Sequence, residues 1–143
     1  MKITRNRPPS RQAPSDHFTG LVWVDEIAVT EPPARLRAYT VHFTPAAHTA
    51  WHHHPYGQVL HMLEGAGLVQ RRGGDVEGIC ASDTVRFDPQ EWHLHGAGPT
   101  AFMTHLAMQE ADNDGVDAHW GTHVSDDEYP YADKSGSQSA NHS

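Results

Sequence analysis

The chemistry of this chain is concentrated in histidine: there are 13, and six of them fall between His42 and His61. Imidazole is both an acid–base group near neutrality and a common metal ligand. In Trp51-His52-His53-His54-Pro55 an extended backbone sends successive side chains to opposite faces, so His52 and His54 share one face and His53 takes the other. His52 and His54 can therefore converge on one metal ion. Gln58 follows His54 at the start of a new strand, near enough to supply an oxygen ligand. A second pair, His93 and His95, shares a face of Pro89-Gln90-Glu91-Trp92-His93-Leu94-His95. One His-x-His is as readily a solvated surface run, but two on separate strands, each beside a proline turn, point to a metal centre. Imidazole donors favour zinc, nickel, iron or copper over magnesium.

Several other chemistries lack their residues. Cys80 is the only cysteine, which excludes an internal disulfide and a Cys-based zinc knuckle. The only lysines, Lys2 and Lys134, lie near the ends and leave no core lysine for a Schiff base. Ser82 is the only serine between residues 16 and 124, and no Gly-x-Ser-x-Gly elbow occurs. Catalysis is therefore expected to be noncovalent.

The elements that must position these groups read as strands, in short alternating runs broken by turns. Leu21 to Val24 opens one, and Leu36 to Thr44 forms another with Tyr39, Val41 and Phe43 on one face, Pro32-Pro33 lying between them. Gln58 to Glu64 is expected to turn at Gly65-Ala66-Gly67 and return as Leu68 to Arg71. Val76 to Cys80, Thr84 to Phe87, Trp92 to Ala97 and Ala101 to Gln109 complete the set. Strands recurring about every 8–12 residues suit a sandwich or small barrel. Ser125 to Tyr129 looks like a helix start, with a serine cap and acids in the first turn.

On these residues the chain resembles the small single-domain cupins. Ala50-Trp51-His52-His53-His54-Pro55-Tyr56-Gly57-Gln58 is similar to the first cupin motif, Gly65-Ala66-Gly67 supplies the glycine that follows it, and Pro89 to His93 resembles the second. The likeness covers about residues 35–110. It departs at two turns, where Ala81-Ser82-Asp83 stands for the usual Pro-Gly-Asp and Pro89-Gln90 for the usual Pro-Gly. The resemblance implies an all-β cupin sandwich or barrel of jelly-roll type. It implies a divalent metal, zinc first with manganese, iron or nickel as alternatives, held by His52, His54, Gln58 and His93, with His95 or His105 as the alternative to Gln58.

Ala-Trp-His-x-His-Pro-x-Gly-Gln and the late Met103-Thr104-His105-Leu106-Ala107 run are closest to two cupin groups, the cyclases of aromatic polyketide pathways and the hydroxynitrile lyases. The Arg-rich, Lys-poor usage and extra histidines favour the first: aldol-type cyclisation of a poly-β-ketone in antibiotic biosynthesis. A hydroxynitrile lyase, an iron-dependent dioxygenase and a non-catalytic binding module are the alternatives. The resemblance turns the face of His105 toward the cavity and makes it the general base with His95 beside it, the bland reading being a core histidine bonded to a backbone carbonyl. Tyr39, Val41, Leu60, Met103 and Gln109 are the expected substrate contacts. His17, His48, His119 and His123 are expected at the surface.

At 143 residues and a formal net charge of -8 the chain has room for one domain, and its field repels phosphate backbones and anionic lipid heads. No nucleic acid or membrane partner is expected, nor is there a run of about 20 apolar residues. The expectation is a cytoplasmic homodimer acting on a small molecule, which a carrier could deliver. Its expected parts are an extended arm at 1–16, a cupin domain at 17–132 and a polar tail at 133–143.

Overall fold

The computed structural model describes residues 1–130, so the polar tail expected at 133–143 lies outside the described residues. Twelve strands run in order: β1 (Arg11–Gln12), β2 (Phe18–Thr19), β3 (Val22–Val29), β4 (Leu36–Phe43), β5 (His48–Thr49), β6 (His52–His53), β7 (Gln58–Arg71), β8 (Val76–Cys80), β9 (Thr84–Phe87), β10 (His93–Ala97), β11 (Met103–Glu110) and β12 (His119–Trp120). They pair antiparallel in a sheet that curls until its two halves face each other. The first half runs β1-β3-β4-β11-β7, with β9 outside β7. The second runs β7-β10-β5-β2, with β8 on the far side of β7 and β6 and β12 continuing from β10. None of the described residues forms a helix long and apolar enough to cross a membrane.

Alternation along each strand decides what fills the space between the halves. Val22, Phe43, Leu60, Met62, Ile79 and Met103 form the main apolar core, each almost fully buried. Burying one such side chain stabilises the fold by about 1.5–3 kcal/mol. On β10, Leu94 turns the opposite way from its histidine neighbours and joins Trp51, Leu68, Val124 and Tyr129 in a second cluster. His93 and His95 are left facing the interior.

Two local expectations need correction. The hairpin expected at Gly65-Ala66-Gly67 does not form, because β7 is a single 14-residue strand that runs through all three residues. It pairs with β11 up to Gly65 and with β8 and β10 from Ala66 and Gly67 onward, so it leaves one half and enters the other there. Gly65 has φ +81 and passes so close to β11 that a Cβ would lie 1.7 Å from the Phe102 carbonyl oxygen. Glycine serves a close crossing here and not a reversal, and local sequence carries the same signal for both. The helix expected from Ser125 is one turn only: the Glu128 amide donates to Ser125 Oγ and the Ser125 amide to Glu128 Oε1, a capping box that Pro130 follows at once.

Both turns that depart from the cupin motifs keep a left-handed backbone. Ser82 has φ +77 and Gln90 φ +63, at positions where the motifs place glycine. Each such residue costs on the order of 1–2 kcal/mol. The Ser82 amide donates to the Met62 carbonyl, and the Asp83 carboxylate accepts from the Cys80 amide, which ties down the first turn.

Candidate metal centre

Strand register assembles the histidines. His93 on β10 stands directly opposite His52 on β6, and Trp120 on β12 lies opposite His52 on its other side. His54 and His95 sit two residues beyond His52 and His93 on the same faces. As the alternation requires, His53 turns outward and meets Trp92 and His119. The ligand nitrogens of His52, His93 and His95 all lie within 4.8 Å of one another, a cluster that fits one divalent cation. The His54 ring centroid is 5.1 Å from that of His52 and 5.5 Å from that of His93.

Hydrogen bonds at Nδ1 fix the tautomers of three rings. His52 donates to the Ala50 carbonyl at 2.9 Å, His54 to the Asp117 carbonyl at 2.6 Å and His93 to the Glu91 carbonyl at 2.8 Å. Burial, reinforced for some rings by the neighbouring imidazoles, holds these histidines uncharged: His93 is pushed down to about 3, His52 well below its ordinary value, and His54 is lowered too. A neutral imidazole that donates from Nδ1 carries a lone pair on Nε2. Ligand histidines are generally oriented this way, with the remote N–H bonded to a carbonyl or carboxylate.

Several buried ring nitrogens of this group have no partner. His54 Nε2 and His95 Nε2 are buried and have no hydrogen-bond partner. His93 Nε2, with its lone pair, stands 3.2 Å from Gln58 Oε1, so two acceptors face each other. A cation held by His93 Nε2 and Gln58 Oε1 would relieve that opposition, and burial of a polar group without a partner costs about 1–3 kcal/mol. The residues present therefore fit a divalent metal.

Across the interior, His105 on β11 reaches His95, Nε2 to Nδ1, at 3.2 Å. His105 is fully buried and burial pushes it down to about 4, while His95 is lowered well below its ordinary value by burial and by the His105 ring. His105 Nδ1 is without a partner.

A cavity of about 250 Å³ opens against this group, lined among others by His52, His54, Gln58, His95 and His105. Of the expected substrate contacts, Tyr39, Val41 and Gln109 line it. Leu60 and Met103 do not line it; both pack in the apolar core. His48, expected at the surface, is 2% exposed and stacks on Tyr129 with ring centroids 3.8 Å apart. Sequence reasoning missed Phe18, Asp117 and Trp120, which also line the cavity. Trp120 is sandwiched between His52 at 4.5 Å and His17 at 4.3 Å, so His17 belongs to the cavity wall and not to open surface. These residues fall outside the span of the cupin resemblance and carry no alternation that would have singled them out.

No family model matches the chain. It is 48% identical over 120 residues to an (R)-mandelonitrile lyase from Granulicella tundricola, covering 84% of this chain and 91% of the relative. A cupin-like protein from Thermotoga maritima superposes with a TM-score of 0.80 at 32% identity, over 94% of this chain and 99% of that one. The polyketide cyclase RemF from Streptomyces resistomycificus superposes with a TM-score of 0.68 at 16% identity, over 92% of this chain and 91% of that one.

Proposed function

Because the chain belongs to the cupin family and matches an (R)-mandelonitrile lyase over most of its length, we propose that it is a metal-dependent hydroxynitrile lyase, which splits an aromatic cyanohydrin into an aldehyde and hydrogen cyanide. The observation that carries this reading is the 48% identity to that lyase over 84% of the chain. The reading displaces the polyketide cyclase expected first, whose support is a likeness of 16% identity, enough for a fold and no more. Cavity size favours the same choice. About 250 Å³ lies below the ~300–1,000 Å³ of pockets for drug-sized ligands, which suits a small aromatic substrate better than a long poly-β-ketone.

The Nδ1–carbonyl bonds support His52, His54 and His93 as nitrogen ligands, with Gln58 Oε1 as the oxygen donor; zinc is the first candidate, then manganese, iron and nickel. His95 belongs to the tightest cluster but differs from these three, because its Nδ1 is turned to His105. When bound, the cation supplies Lewis acidity toward the substrate's hydroxyl oxygen. The neutral His95–His105 pair supplies the base. One imidazole nitrogen takes the hydroxyl proton as the carbonyl forms; the C–CN bond breaks, its electron pair leaves with cyanide, and the same proton is returned to give hydrogen cyanide. Phe18, Val24, Val41 and Ala107 form an apolar wall for the aryl group and keep water from it.

The test is cyanide and benzaldehyde release from mandelonitrile by metal-loaded protein, with a poly-β-ketone assay and oxygen uptake run in parallel. Release well above the buffer rate is expected, together with a loss of about 10²–10⁴-fold in His105→Gln at unchanged metal content. Fully loaded protein that releases no cyanide overturns the reading, and oxygen consumption would replace it with the dioxygenase.

A further inference from the structure

A chain of side-chain amides leads away from the histidine cluster and ends on a carboxylate. Gln58 Oε1 faces His93 Nε2 at 3.2 Å, Gln58 Nε2 donates to Gln109 Oε1 at 3.1 Å, and Gln109 Nε2 donates to Asp117 Oδ2 at 2.9 Å. Gln58 and Gln109 are 5% and 9% exposed, and both line the cavity.

Each amide could in principle be turned round, exchanging its oxygen and nitrogen. The inverted chain would let Gln58 Nε2 donate to the lone pair on His93 Nε2, a better contact than the two acceptors that now face each other. The carboxylate forbids it. An ionised carboxylate only accepts, so Gln109 must present its Nε2 to Asp117. Gln109 then turns its Oε1 to Gln58, and Gln58 must turn its Oε1 to His93.

We propose that Asp117 is a positioning residue for the metal centre, which acts through Gln109 to hold the Gln58 oxygen toward the site and to prevent Gln58 from capping His93. This deepens the reading above and rests on Gln58 as a ligand. The same residue orients a second ligand by a separate route, since its backbone carbonyl accepts from His54 Nδ1. Replacement of the side chain alone leaves that contact in place.

The experiment measures cobalt(II) affinity by competition with a chelator, with no cyanohydrin present, in a double-mutant cycle of Asp117→Asn and Gln58→Glu. Asparagine can donate, so it permits the inverted chain, and affinity should fall by about tenfold or more, the usual range for residues behind metal ligands. Glutamate at position 58 cannot donate to His93 in either orientation. In that background Asp117→Asn should cost less than about twofold. Gln109→Met cuts the same chain from β11, should reproduce both results, and serves if Asp117→Asn disturbs its loop. An equal loss in both backgrounds would mean a purely structural role, and no loss in either would mean that the chain does not orient Gln58; each overturns the proposal. Since affinity is read without substrate, the lyase reading can fail while this inference stands, and the reverse.

Discussion

Two histidine-centred clusters, one on each side of the first half-sheet, have opposite characters. Inside, His52, His54, His93, His95 and His105 crowd together with several ring nitrogens lacking a partner. Outside, His42 stands among polar groups that answer it completely: Nδ1 meets Thr104 Oγ1 at 3.2 Å and Nε2 meets Asp25 Oδ2 at 2.9 Å. Asp25 in turn accepts from Ser10 and has Arg7 at 3.5 Å. Histidine type alone does not separate these clusters. The state of the ring nitrogens does, because a satisfied group holds structure together whereas a buried unsatisfied one waits for something to bind.

The largest effect that would sharpen this contrast is on metal content. Protein purified without added metal should carry near-equimolar divalent ion by elemental analysis; His52→Ala should reduce it to a small residue, and His42→Ala should leave it unchanged. Full occupancy in the His52→Ala variant would break the comparison.

Acid should attack the two clusters at different pH. The inner histidines have lowered folded-state values, so below the unfolded value of about 6.5 the unfolded chain binds protons that the fold cannot. Metal-free protein should therefore lose stability as pH falls from 6.5 toward 4, by about 3 kcal/mol from His105 alone, which is pushed down to about 4. Asp25 is the converse case: the Ser10 hydroxyl, and then His42, hold its carboxyl below the usual range. Its contribution is present above the unfolded value of about 3.9 and disappears only as pH falls further, through the folded value. Urea midpoints against pH, with and without metal, would show the first loss alone between pH 6.5 and 4. Stability that is flat across that window would contradict the assignment of buried neutral imidazoles.

The smallest effect is that of Asp25→Asn. It leaves the fold and the metal content intact and costs about 1–3 kcal/mol, as expected when a buried acceptor is exchanged and its donors lose part of their partner. Loss of metal in this variant would show that the outer cluster is not independent of the inner one.

Much of the inner cluster was legible because it rests on alternation. The facing of His52 and His54 against His53, and of His93 and His95 against Leu94, follows from strand geometry. Which strands lie side by side is set by long-range pairing, and no local pattern states that Trp120 lies opposite His52 or that Asp117 meets Gln109. Gly65 misled because a turn and a close crossing ask for the same residue. His48 misled because nothing in Ala46-Ala47-His48-Thr49-Ala50 states that Tyr129, far along the chain, covers it in space.

The uninterrupted passage of β7 through both half-sheets bears on how this chain can change length. Gln58 lies at its first residue, and its far end is in register with β10, where His93 pairs with Arg71. An insertion of one residue between them would reverse the facing of everything downstream on the strand. Gln58 would then be out of step with His93, and the core residues of one half would be turned against the other. Within residues 58–71 the segment length is itself part of the candidate metal site, and variation there is confined to substitution.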